Sequence, residues 1–197
     1  MKVKNKEKVK SISKYYFECF SYLKESKKFI YASIILFIVF SYIGFLLSDQ
    51  LVFLNKILKD LIGQTQGLGA FQLVIFILKN NILASFFGMV SGFVLGIFPF
   101  ISILNNGIIL GYVGSLVYST SGGFDLLRLI PHGIFELPAI FISLGLGMRL
   151  GFFFVAKKKL VELKRRLLLS LNTFLLIVIP LLIIAAIIEG VLIAISG

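Results

Sequence analysis

His132 and Glu136 lie four residues apart in Pro131-His132-Gly133-Ile134-Phe135-Glu136-Leu137-Pro138, at the head of a long apolar stretch. Pro131 suits the first turn of a helix, and that helix would stack both side chains on one face. A central charge in a membrane costs roughly 2.5–3.5 kcal/mol on the translocon scale, so two such groups one turn apart need a reason. In apolar surroundings a glutamate titrates upward and a histidine near neutrality, which would make the pair a proton-linked or substrate-binding site. Alternatively, the two bond each other or backbone groups near Pro131 and Pro138, and fix helix packing at about 0.6 kcal/mol per interhelical bond. The residues leave both readings open. Asn106, Glu189 and Arg149 complete the polar set expected within apolar sequence.

Other chemistries lack their parts. With one histidine and one cysteine, nitrogen and sulfur ligands are too few for His-Glu-x-x-His or a comparable zinc site, so no metal is expected. A hydrolase would have to combine Ser119, Thr120 or Ser121 with His132, without a nucleophile elbow. No phosphate-binding loop is present, and Asp49, Asp60 and Asp125 fall at positions expected to face water. The expectation is no catalytic set and no cofactor. Cys19 is the sole cysteine, so no internal disulfide can form.

The elements that must position these residues are membrane helices. The chain is 58% apolar with a mean hydropathy of +1.02, well above the roughly 45–50% apolar content of soluble proteins. No charge falls between Lys28 and Asp49, between Lys79 and Asp125, or between Arg166 and Glu189. Runs near 20 residues match a hydrocarbon core of about 30 Å. The net charge of +11 is concentrated: 15 of 20 basic residues lie in Lys2–Lys28 and Lys157–Arg166. Blocks flanking apolar spans follow the positive-inside rule, and favour contact with anionic lipid over nucleic acid, which is not expected as a partner.

The expected fold is all-α: a polytopic bundle of five transmembrane helices with amphipathic interfacial helices. Residues 1–28 form a basic amphipathic segment, with Val9, Ile12, Tyr16, Phe17, Phe20 and Leu23 at helical spacing, most simply lying on the cytoplasmic surface. This lead does not resemble a cleavable signal, so the first span is retained. Residues 29–197 form one membrane domain. Its spans are read as Phe29–Leu47, Ile82–Leu104, Ile108–Ser121, Pro131–Phe154 and Leu167–Ile188, with Ala70–Leu78 too short to cross and therefore interfacial or re-entrant. Asn105-Asn106-Gly107 supplies turn chemistry between spans two and three. The short third span, followed by Gly122-Gly123, suggests broken helices around a cavity, with a tight outer hairpin as the alternative. Five spans with the N-terminus cytoplasmic put both basic blocks, and that turn, inside and the C-terminus outside. Gly88, Gly92 and Gly96, then Gly107 and Gly111, then Gly147 and Gly151, repeat every fourth residue and predict close packing within one compact bundle.

Three further features act together: Asn106-Gly107 with Gly111, Pro131-His132-Gly133-x-x-Glu136-x-x-Ala139, and Gly147-x-Arg149-x-Gly151 before a late Ile188-Glu189-Gly190. In this order they resemble the stage II sporulation protein M family, over roughly Phe29–Gly190. The resemblance implies a five-span plasma-membrane protein with no established enzyme activity, and its family extends beyond spore formers. By position it singles out Asn106, Gly107, Pro131, His132, Gly133, Glu136 and Glu189. The expected function is a component or scaffold of a membrane protein complex, with membrane proteins as partners and no chemistry of its own. The alternatives are a small-solute or proton-linked permease using the His-Glu pair and, behind it, an intramembrane hydrolase.

Overall fold

A computed structural model describes residues 2–121 and 130–196, with side chains described for residues 13–61, 63–69, 71–120 and 133–192. The described residues form helices joined by short turns, with no strand among them. The helices are α1 (Lys2–Leu46), α2 (Leu54–Thr65), α3 (Ala70–Val90), α4 (Ile97–Ser121), α5 (Ile130–Gly151), α6 (Lys159–Thr173) and α7 (Ile179–Ser196). Five helical segments among the described residues are long and apolar enough to cross a membrane; α6 and α7 together supply the fifth.

The polar sequence signals are used differently from the expected turns. Helix α4 runs unbroken through Asn105, Asn106 and Gly107, and the reversal falls instead at Val94-Leu95-Gly96, where Leu95 and Gly96 have φ of 53° and 71°. Asn-Gly is a turn signal in water. In an apolar run the helix satisfies every interior N–H and C=O, while a turn leaves several bare. Asn106 instead donates to the Ser102 carbonyl, one turn back, at 2.8 Å. The spans shift accordingly. Ala70–Leu78 is the first half of α3 rather than an interfacial piece, and the third span is the full 25 residues of α4 rather than a short helix. Gly122-Gly123 lies outside the described residues.

Helix α1 is also longer than expected. Its 45 residues extend about 68 Å at 1.5 Å per residue, more than twice the hydrocarbon thickness. The basic segment is therefore continuous with the first span, with no hinge at Lys28 to lay it on a surface. At the other terminus α6 passes into α7 through one π turn, Phe174–Val178, immediately before Pro180. Proline lacks an N–H and its ring crowds the carbonyl four residues back, which a widened turn relieves. Pro99 falls in the first turn of α4, where its missing N–H has no helical partner to lose.

Helix α5 is the hub. Half of its apolar window is buried, against 17–22% for the other spans, and it packs on α1, α3, α4 and α7. The glycine rows make these approaches possible. A β-carbon on Gly92 would overlap the Gly147 backbone, and one on Gly151 would overlap Gly96, closing α3 onto α5. Gly107 and Gly111 do the same for α4 against α1, with Phe37 O and Ser41 O in the way, and Gly44 meets Ile108 from the opposite side. The rows are thus consumed inside one chain, as the spacing predicts. Around them Tyr22, Met89, Ala139, Leu146, Phe174, Val178 and Leu182 form one core cluster.

The revised turn has a direct check. In a Cys19→Ala background, Leu95→Cys and Ala156→Cys should label from the same side with a membrane-impermeant maleimide, and Asn105→Cys from neither. Labelling of Asn105→Cys from water faster than Leu95→Cys would reinstate the Asn-Gly turn.

Candidate functional site

The densest polar constellation lies where α1, α5 and α6 meet, at the end of the bundle carrying the basic residues. Tyr22, Glu25 and Ser26 share one face of α1 by their spacing of three and four. Arg149 occupies the last turn of α5, where a cation complements the helix dipole. Its Nη1 donates to Ser26 Oγ at 2.7 Å and to the Tyr22 carbonyl at 3.2 Å, and its Nη2 to Glu25 Oε2 at 2.6 Å. The guanidinium also lies over the Tyr22 ring, 4.5 Å from its centroid. Planar, delocalised and forked, this is a cation suited to several acceptors and an aromatic face together.

Helix α6 closes the cluster. Arg166 Nη1 donates to the Arg149 carbonyl at 2.7 Å, satisfying one of the orphan carbonyls at the end of α5, and its Nε pairs with Glu162 at 2.8 Å. Arg165 bridges Glu25 and Glu162 at 3.0 and 3.3 Å. Tyr22 OH lies 3.1 Å from Ser170 Oγ and donates to the Arg166 carbonyl at 3.3 Å. Cys19, one turn before Tyr22, is fully buried and acts as a small apolar side chain. Each arginine of this cluster is matched by an acceptor among the described residues, so the arrangement binds helices together. The members differ in weight. Arg149 is 10% exposed, whereas Arg165 is 43% and Glu25 40% exposed. Arg165→Ala should therefore cost under about 1 kcal/mol, the usual limit for a solvent-screened pair, read as a small shift in thermal stability in detergent.

The residues singled out from sequence lie elsewhere and at different depths. Glu136, near the start of α5, and Glu189, near the end of α7, are half-buried and each is engaged rather than free. The side chains of Pro131 and His132 lie outside the described residues. Among the described residues, a β-carbon on Gly133 would meet only Leu137 of its own helix, at 3.5 Å. Asn106 is exposed a little over a third of the way along α4, and its bonds go to Ser102 in the same helix. Gly107 beside it is buried against α1. Among the described residues no three His, Cys, Asp or Glu side chains converge where a metal could bind.

Sequence reading passed over Tyr22, Glu25 and Ser26, because a lysine-rich amphipathic segment reads as a solvated face. Two signals were present: Glu25 set between Lys24 and Lys27, and Arg149 as the sole charge between Glu136 and Lys157.

No curated protein and no solved structure matches the chain. The family model described as Stage II sporulation protein M matches residues 33–192, which include Arg149, Glu162 and Arg166 but not Tyr22, Glu25 or Ser26. With that match spanning most of its length, this multi-pass membrane chain belongs to the stage II sporulation protein M family.

Proposed function

We propose that the protein is an integral component of a membrane protein complex and works by holding and presenting helices, with no chemistry of its own. The observation that carries this reading is the fastening of α1. Arg149 and α6 grip it at Tyr22, Glu25 and Ser26, and α1 continues from that anchored point to Lys2. The seventeen residues from Lys2 to Glu18 amount to about 25 Å of helix beyond the grip. Tyr15, Tyr16, Phe17 and Phe20 are exposed on its described part. Helices with exposed aromatics and lysines suit recruitment of another protein near an anionic surface. The segregation of lysine and arginine supports a cytoplasmic position for this end and an outer one for the C-terminus.

The permease alternative loses one of its supports, because α4 is a full-length span rather than a short one. Two experiments separate the readings. Purification in mild detergent should retain a stable partner, and removal of residues 2–18 should release it while the remaining bundle still accumulates. Flux into proteoliposomes of the pure protein, disappearing in both His132→Ala and Glu136→Gln, would overturn the proposal.

A further inference from the structure

Asn105 and Asn106 are exposed on a helix long and apolar enough to cross the membrane, and two measures place them inside its apolar interior. They lie eight and nine residues after the first residue of α4, about 12–14 Å along a 25-residue helix. The neighbouring Gly107 packs on Phe37 and Phe40 of α1, midway through the charge-free run between Lys28 and Asp49. Lipid offers no hydrogen bonds at this depth, so exposed carboxamides there need a protein partner.

The two amides are complementary to each other across a symmetry axis. Asn106 spends its Nδ2 hydrogens on the carbonyl and hydroxyl of Ser102, at 2.8 and 3.4 Å, and its Oδ1 accepts no hydrogen bond among the described residues. Asn105 makes no side-chain hydrogen bond among the described residues, so its Nδ2 donors are open. Two copies inserted with the same topology are related by an axis along the membrane normal, which brings like depths together. A spare donor beside a spare acceptor is then satisfied twice, reciprocally. Any other protein would need polar groups at that same depth.

We propose that this face of α4, with Phe98 and Ile101 beside the amides, is a self-association surface that receives a second copy of this chain. Phe98 and Ile101 are both exposed and lie two turns and one turn below Asn105, so they continue the face toward the Leu95 turn. The proposal stands apart from the complex-component reading, since self-association and capture of another protein can each succeed without the other.

Disulfide crosslinking in native membranes tests it. In a Cys19→Ala background, oxidation of Ile101→Cys should give a covalent dimer of the chain. Adding Asn105→Leu with Asn106→Leu should reduce its yield, relative to monomer, at least tenfold. Asn105→Gln, which keeps the carboxamide, should retain most of it, and Phe87→Cys, exposed on α3, should give little. The proposal is overturned if Ile101→Cys gives no dimer, if it joins a different protein instead, if the leucines leave the yield unchanged, or if Phe87→Cys crosslinks equally well. Capture of another protein should persist in the leucine variant, which separates this result from failure of the complex-component reading.

Discussion

Gly147→Leu should abolish accumulation of folded protein, measured as the monodisperse fraction of a fluorescent fusion extracted in mild detergent. A β-carbon at this position alone would stand 2.8 Å from Pro99 Cγ, 2.9 Å from Gly88 O and 3.0 Å from Met89 Cα. Two of those atoms are backbone and the third is a proline ring fixed in the first turn of α4, so none can rotate away. Ordinary overpacking of a core costs about 1–3 kcal/mol because side chains and backbone share the adjustment. Here α3 would have to separate from α5, and the contact of Gly92 with Gly147 would go with it. Gly63→Leu is the matched control, since nothing lies within 4 Å of its β-carbon position in α2. That change should be neutral or stabilising by up to about 1 kcal/mol, the usual helix penalty of glycine. Equal accumulation of Gly147→Leu and the unaltered protein would remove the glycine crossing as the organising contact of the bundle.

The same contrast explains what was legible in the sequence. Charge-free runs located the membrane helices because hydrocarbon excludes charge whatever the packing, and rows of glycine at spacing four located the crossings because only close backbones require them. The turn between the second and third spans was misplaced. Asn105-Asn106-Gly107 carries turn chemistry that operates in water, whereas Val94-Leu95-Gly96 looks like continuous apolar helix. Its signal was one glycine, with the left-handed conformation of Leu95 supplying the rest. The buried and half-buried charged residues divide similarly. Glu136 and Glu189 stood out against apolar neighbours and are held in half-buried positions. Glu25 is no less constrained, but it lay hidden among lysines. Its pairing with Arg149 joins positions 124 residues apart, which no local spacing reveals.

Arg149→Met should loosen α1 from the bundle and lower stability by about 2–4 kcal/mol. Breaking a buried ion pair from one side typically costs 3–5 kcal/mol. The lower figure applies because Glu25 is 40% exposed and keeps Arg165 as a partner, so its carboxylate is not stranded. What the substitution removes lies on the other side of the contact: the buried Ser26 hydroxyl and Tyr22 carbonyl keep their bond to each other, at 2.7 Å, but lose the guanidinium, and the Tyr22 ring loses its cation. Limited proteolysis should therefore cut between Lys24 and Lys28 in the variant at protease concentrations that leave the parent intact, with the α3–α5 crossing still protected. Arg149→Lys should recover little of this protection, because one ammonium cannot reach Glu25, Ser26 and the Tyr22 carbonyl in the fork geometry and gives a weaker contact to the ring. Protection by lysine equal to that by arginine would show that charge alone holds α1. Unchanged proteolysis in Arg149→Met would show that α6, through Arg165 and Ser170, suffices to hold it.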